Sequence, residues 1–377
     1  MTKKLTPKLI IKYLIKEFCV SLLIFSSIFL TLILLSNFIE EIVYFRDKNV
    51  EGNFIVKTFF LSLIQVPTIF ISMLPFIFLF SGIFFFVKLI KTNEITPLSF
   101  SGFSKSYITL IPSIFSFLIG IMIIVLITPI SSELSKYYET TKQKYSSNDN
   151  LIIINNTGLW IKERQKNFTY LIRADSIQDQ NFKNLKNLTI YKFDNKTNFL
   201  QRTDADNVTI EGFNWYLKGT KTLFENKNLE EETKSETISN NNSQNFKTQI
   251  DFDKIKFFFS NADTFSFWNI LDQIKSSKNI GYYSQELVIQ FNKFISLPIM
   301  LFLMVIVSTI FTLNANYQFN NFIYTFFGVL TGIIIYFLSD LSIALGKSGR
   351  IPLILSVWVP ILLIMILSTI NLKKIKD

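Results

Sequence analysis

Phe18 to Phe38 reads FCVSLLIFSSIFLTLILLSNF, a run with no charged side chain. A helix needs about 20 such residues to cross a hydrocarbon core of roughly 30 Å, and a soluble core rarely requires so long an uninterrupted run. The stretch is therefore read as a membrane span. Five more follow, near Phe59 to Val87, Ile108 to Ile130, Phe294 to Leu313, Ile323 to Ala344 and Ile351 to Leu372. The runs are continuous, where a barrel strand would alternate, so the spans are helical. The second is overlong and contains Pro67 and Pro75, which predicts tilt or kinks. Pro129 is read as the end of the third, with the charged stretch Glu133 to Tyr145 running on as a helical stalk.

The spans fall into two groups of three, separated by a long polar segment. The expected class is an α-helical membrane protein of six transmembrane helices with an inserted all-β, jelly-roll-like domain. Its boundaries are read as 1–130 for the first three helices, with a loop at about 88–106, then 131–286 for the β domain and 287–377 for the last three helices. Short β-branched and aromatic runs mark the strands: Leu151 to Ile154, Gly158 to Lys162, Phe168 to Arg173, Leu188 to Phe193, Val208 to Ile210 and Trp215 to Leu217. Asn226 to Asn245 is polar enough to be read as a long loop. Phe267, Ile270, Leu271 and Ile274 have helical spacing, which predicts a short helix over Phe265 to Lys278, capped by Asp263 or Thr264.

Lysines set the orientation. Lys3, Lys4, Lys8, Lys12 and Lys16 precede the first span, Lys88, Lys91 and Lys105 flank the second loop, and Lys373, Lys374 and Lys376 follow the last span. By the positive-inside rule these segments are cytoplasmic. The loop after the first span, with Glu40, Glu41, Asp47 and Glu51 against Arg46 and Lys48, belongs on the other side, as does the β domain; only Lys347 and Arg350 run against the scheme. The N-terminal apolar stretch is of span length with no small-residue cleavage site after it, so it is not read as a cleavable signal.

Several chemistries are excluded. The 377 residues contain no histidine and one cysteine, Cys19, within the first span. Histidine-based nucleophilic sites, the usual zinc sites and an internal disulfide are thereby ruled out. No metal or cofactor site is expected. The net charge of +10 follows from lysines in tails and loops and suits membrane headgroups rather than nucleic acid. The 41 phenylalanines, with abundant Ile, Lys and Asn, are read as compositional bias and not as a binding surface. Gly346-Lys347-Ser348 resembles the end of a phosphate-binding loop, but Leu341 stands where that motif needs glycine. Any use of ATP must then belong to another subunit.

The loop Lys91-Thr92-Asn93-Glu94-Ile95-Thr96-Pro97-Leu98-Ser99-Phe100-Ser101-Gly102-Phe103-Ser104 holds one carboxylate between flanking lysines. Glu94 and Leu98 are i, i+4 neighbours and Gly102 can end a turn, which together describe a short surface helix. Such a helix could dock on a basic groove of a soluble partner; it could equally be an interfacial connector with a solvated glutamate. The order Glu, apolar, two variable, Leu, variable, small, variable, Gly, variable, Ser resembles the coupling segment of the lipopolysaccharide export permeases of the LptF/LptG family. The layout of three spans, a β domain and three spans is similar over essentially the whole chain. Gly158-Leu159-Trp160-Ile161-Lys162 and Gly349-Arg350-Ile351-Pro352 are more like the LptG branch.

The resemblance implies a non-enzymatic permease subunit of the bacterial inner membrane. It would work with a homologous LptF-like permease, a dimeric cytoplasmic ABC ATPase that binds the ATP, and a periplasmic bridge of the LptC/LptA kind. The complex would extract lipopolysaccharide and pass it through the β domain. Glu94 would sit in the ATPase groove, with Leu98, Gly102 and Ser104 shaping its helix; Pro97 departs from the pattern. Lipid A carries phosphates, so cations near the outer interface are candidate contacts: Arg46, Lys48, Lys136 and Lys293, the last with Pro298 resembling the family's Lys-to-Pro spacing. The family's lysines along the outer part of the first span are missing, and Glu40 and Glu41 occupy that region. Asp340 is the clearest carboxylate at membrane depth, expected to pair with Lys347 or Arg350. Two other functions stay open: an ion-coupled transporter using Asp340, and a membrane scaffold or sensor whose β domain binds an envelope ligand.

Overall fold

The computed structural model describes residues 7–46, 53–145, 151–155, 158–165, 168–177, 184–194, 198–224, 237–248, 261–279, 284–312 and 321–376. Lys3, Lys4, Lys48, Asp47 and Glu51 lie outside them. The chain divides into two compact units, one made of Met1–Tyr138, Asp263–Phe267 and Val288–Asp377, the other of Glu139–Ala262 and Trp268–Leu287.

The first unit is helical. Its elements are α1 (Pro7–Phe45), α2 (Phe54–Lys91), the six-residue α3 (Ile95–Phe100) and α4 (Lys105–Met122), which leads through a π turn (Ile123–Ile127) into α5 (Thr128–Tyr145). Beyond the β domain come a short 3₁₀ turn (Ala262–Thr264), α6 (Phe267–Asn279), which from Trp268 on belongs to the second unit, and then α7 (Gln285–Ile310), α8 (Asn321–Lys347) and α9 (Leu353–Lys376). Among the described residues, six stretches are long and apolar enough to cross a membrane: Lys8–Phe45, Phe54–Lys91, Lys105–Lys142, Gln285–Ile310, Phe326–Lys347 and Leu353–Ile370. The helices overrun the apolar runs that announce them. At 1.5 Å per residue the 39 residues of α1 extend roughly 58 Å, nearly twice a hydrocarbon core.

The helix runs on past Pro129 through Tyr145, as the stalk reading expects. The π turn precedes the proline, and the Thr128 amide donates to the Ile123 carbonyl, five residues back. That widened turn shifts the hydrogen-bond register just where proline offers no N–H, so the helix continues as α5. α2 likewise runs through Pro67 and Pro75.

α7 is the most buried span, with 61% of its apolar window inside the fold, against 17% for α1 and 22% for α8. Its neighbours approach closely through small residues, as interfaces between membrane helices require. A Cβ on Gly120 of α4 would lie 2.7 Å from the Pro298 Cα of α7. Polar side chains add cross-links: the Trp358 Nε1 donates to Asn292 Oδ1 at 3.2 Å, and the hydroxyls of Thr68 and Ser131 meet at 2.8 Å. Phenylalanine fills the space between, with Phe18 edge-on to Phe85 at 5.7 Å. This is core packing, in line with phenylalanine content that reflects composition.

The second unit carries seven antiparallel strands: β1 (Leu151–Asn155), β2 (Gly158–Gln165), β3 (Phe168–Ile177), β4 (Asn184–Asp194), β5 (Phe199–Glu211), β6 (Asn214–Phe224) and β7 (Thr237–Lys247). They pair in chain order as a meander, with no crossover among the described residues. Strand β7 corrects the expectation of a loop through Asn245. Ser239 to Gln244 is polar, yet it pairs along β6 from Thr222 to Leu217. A polar strand is possible where partner-strand hydrogen bonds do the holding.

The sheet is curled. β2 and β7 are not neighbours in order, but the Glu163 Oε2 accepts from Thr248 Oγ1 at 2.6 Å and the Gln165 Nε2 donates to the Lys247 carbonyl at 3.2 Å. Tyr170 and Phe246 rings lie 5.2 Å apart over the same closure. Inside lie Leu159, Ile161, Ile172, Leu188, Ile190, Val208, Trp215 and Leu217. A seam crosses the sheet at Asn187, Asp206 and Gly219, which are skipped in the pairing of β4, β5 and β6; Asn187 and Gly219 have positive φ. The buried face shifts by one residue there, from Leu185 to Leu188 in β4 and from Ala205 to Val208 in β5. Such an interruption bends the strands and helps the meander roll up.

Glu163 has 0% exposure and also accepts from Gln165 Nε2 at 2.8 Å. Burial first, and the Glu163 carboxylate second, hold the Tyr170 phenol above its usual range, so the ring opposite stays neutral. Glu163→Ala removes a buried acceptor shared by the Thr248 hydroxyl and the Gln165 amide. It is expected to destabilise this domain by about 3 kcal/mol, and Glu163→Gln by less, because an amide oxygen still accepts from Thr248. Tryptic digestion of the full chain in detergent, followed at the β domain, measures both.

Candidate functional site

The loop carrying Glu94 is built from two consecutive helix stops. At the end of α2, Asn93 takes φ 54, its amide donates to the Ile90 carbonyl, and the Glu94 amide donates to the Leu89 carbonyl at 3.0 Å. At the end of α3, Gly102 takes φ 90, its amide donates to Ser99, and the Phe103 amide donates to Leu98 at 3.2 Å. Both are the paired-bond Schellman termination, one using asparagine and one glycine for the left-handed position. Glu94 is thus the last residue of the first stop and the residue preceding α3. Its backbone is fixed on both sides.

The other motif residues have distinct positions. Leu98, half-buried, packs with Phe103 against the helical core, as does buried Ile95. The Ser104 hydroxyl caps α4, accepting from the Tyr107 amide at 3.2 Å. Pro97 is the third residue of α3, where its missing N–H has no helical acceptor to lose, so the helix start at Ile95 accommodates it. Phe100 faces outward at 89% exposure. The result is a short helix with an apolar underside bound to the bundle and a free outer face.

Sequence reasoning missed what holds the Glu94 side chain. The Tyr13 hydroxyl of α1 donates to its Oε2 at 2.6 Å. One turn further along α1, Glu17 receives Lys88 of α2 at 2.5 Å. The first span is therefore tied to the Glu94 loop by two polar contacts on adjacent turns. The i, i+4 spacing of Tyr13 and Glu17 was a visible signal, but nothing in the chain pointed to the partners across it.

A second feature is a cleft of about 360 Å³ within the helical unit, bordered by α2, α5, α7, α8 and α9. Lys293, Gln290, Asp263, Tyr336 and Asp340 line it, with Thr68, Ser131 and Ser339 contributing hydroxyls. Gln290 Nε2 donates to Asp263 Oδ1 at 3.4 Å. Asp263 and Thr264 lie in the 3₁₀ turn, and Ser266 immediately precedes α6. Asp340 is not ion-paired with Lys347 or Arg350, contrary to expectation. It lines the cleft with Tyr336, one turn earlier on α8, because i, i+4 spacing places both on that face, while Lys347 ends the helix and Arg350 lies beyond it.

The other cation candidates do not gather here. Lys136 is held by Glu133 at 2.8 Å on the exposed face of α5. Arg46 is exposed just past α1 and does not line the cleft. Glu41, five residues before it, is buried at 1% and accepts from the Tyr138 hydroxyl, while Glu40 is exposed.

Six apolar helices of membrane-crossing length among the described residues, interrupted after the third by a curled antiparallel sheet, with a braced surface helix between the second and third, define a polytopic membrane protein with an inserted β domain. The chain belongs to the lipopolysaccharide export system permease LptF/LptG family, whose sequence model matches residues 12–374. That match covers both permease branches together. No curated protein matches the chain.

Proposed function

We propose that this chain is the LptG-like half of an ATP-driven lipopolysaccharide exporter. Both termini and α3 lie on the cytoplasmic side of the inner membrane, and the β domain is periplasmic. A homologous permease covers the exposed apolar faces of α1 and α8. A dimeric ATPase receives α3 with Glu94, and the substrate passes through the curled sheet to a periplasmic bridge. The observation that carries this reading is the Glu94 helix: a carboxylate fixed by two helix stops, with a free outer face and an apolar underside. A charge-assisted contact at such a position resists slippage. Tyr13 and the Glu17–Lys88 pair offer a direct path from it to the first span.

Copurification from membranes tests the assembly: the tagged chain should retain a second permease and an ATPase at one to two, and isolation of the chain without them would refute it. For the substrate, Lys293 is the cation best situated to meet a lipid phosphate. Lys293→Glu is expected to lower photo-crosslinking to lipopolysaccharide roughly tenfold, with Arg46→Glu adding a smaller loss. Unchanged crosslinking in the double variant would remove the phosphate contact from the scheme.

A further inference from the structure

The cleft holding Lys293 is not the cationic surface that a lipid bearing only phosphates would select. Asp340 and Asp263 line the same space of about 360 Å³. Gln290, one turn before Lys293 on α7, donates to the Asp263 carboxylate, and Tyr336 lines the cleft one turn before Asp340 on α8. Neither Lys293 nor Asp340 is engaged by an ion-pair partner among the described residues. A phosphate monoester drawn to Lys293 would meet two carboxylates lining the same cleft, and like charges repel there. An ammonium a few bonds from the phosphate converts that repulsion into a second contact.

We propose that this cleft reads an amphoteric headgroup: a phosphate diester on Lys293 and, on the same ligand, a primary ammonium on Asp340 with Asp263 nearby. This rests on the export reading, and it narrows the substrate to lipopolysaccharide whose lipid A phosphates carry an amine-bearing substituent. The cleft is within the size range of ligand sites, and its apolar walls of Ile71, Phe76 and Met300 suit the adjoining acyl region. The carboxylates supply specificity, since they penalise the unsubstituted phosphate as much as they favour the substituted one.

The same chemistry occurs in phosphatidylethanolamine, and the test separates the two sources. A photoreactive residue replaces Ile343, which lines the cleft, in the assembled permease–ATPase complex in nanodiscs. Three probes are compared: lipopolysaccharide with unsubstituted lipid A phosphates, the same lipid with ethanolamine-substituted phosphates, and labelled phosphatidylethanolamine. The substituted lipopolysaccharide should label roughly tenfold more than the unsubstituted form. Asp340→Asn, of nearly the same shape, should bring the two to parity, and Asp340→Lys should reverse the order. Equal labelling by both lipopolysaccharides in the unaltered complex, or a preference that survives Asp340→Asn, overturns the proposal and leaves the export reading standing. Labelling by phosphatidylethanolamine alone, lost in Asp340→Asn, supports the headgroup chemistry but overturns the substrate assignment. No labelling by any of the three overturns both.

Discussion

Glu94→Lys is expected to reduce ATPase association at least a hundredfold, with the permease still present in the membrane at its usual level. The stops at Asn93 and Gly102 fix α3 without help from the Glu94 side chain, so the substitution leaves the helix in place. What changes is the charge offered to the partner. A basic groove that received a carboxylate would meet an ammonium, and reversal at a desolvated contact costs about 3–5 kcal/mol, which is a factor of a hundred or more. Glu94→Gln should fall between, losing roughly tenfold, because the amide oxygen still accepts from Tyr13 while the charge is gone. Equilibrium binding of the purified ATPase to the reconstituted permease pair measures all three. If Glu94→Lys binds normally and transports lipopolysaccharide, the docking role of Glu94 is wrong.

Tyr13 sharpens that test. Tyr13→Phe preserves the ring and removes only the donor at 2.6 Å. A purely local contact would alter ATPase binding slightly and nothing else. If α1 follows α3 through this bond and the Glu17–Lys88 pair, transport per ATP hydrolysed should fall more than binding does. Removing both ties, with Lys88→Met added, should exceed the sum of the separate losses, as expected for groups that act as a unit.

The parts of this molecule legible in sequence are those governed by length. Twenty apolar residues have few alternatives in a membrane, so the six spans and the inserted domain could be placed before any coordinates. Their ends could not, because polar residues at either end extend a helix whenever the chain has nothing better to do: α1 begins at Pro7, well ahead of Phe18. The stalk after Pro129 was legible, but the π turn that absorbs the proline was not, because proline alone does not reveal it. In the β domain, Leu188 to Phe193 and Val208 to Ile210 each begin just past the seam at Asn187 and Asp206, on opposite sides of it because β4 and β5 are antiparallel. There the alternation changes phase, and a search for period two stops. β7 was hidden for another reason, since its asparagines and serines carry no apolar pattern and it is stabilised by pairing to β6. The Glu94 helix was legible from its motif. Its anchor, Tyr13, lies 81 residues away and only the packed bundle brings it near.

The largest effect on the fold itself is expected from Gly120→Val. An added Cβ would sit 2.7 Å from the Pro298 Cα and 3.1 Å from its Cβ. The obstacle is largely backbone, and Pro298 lies inside α7, so no side-chain rotation relieves it. α4 and α7 must separate, and because α7 is the most buried span, the separation spreads to its other neighbours. Overpacking costs of about 1–3 kcal/mol apply where side chains can shift; against a helix backbone the cost should exceed that range. Gly120→Ala meets the same contact with one methyl and should be damaging but less so, whereas Gly120→Val adds two more carbons with a restricted χ1. Thermal unfolding of the purified chain in detergent should show a graded loss, with Gly120→Val failing to accumulate. The same separation would move Lys293, five residues before Pro298, away from the cleft. A partly folded Gly120→Ala protein should therefore lose lipid crosslinking at Ile343 before it loses ATPase binding at α3. That order distinguishes damage to the α4–α7 contact from general unfolding, which would remove both together.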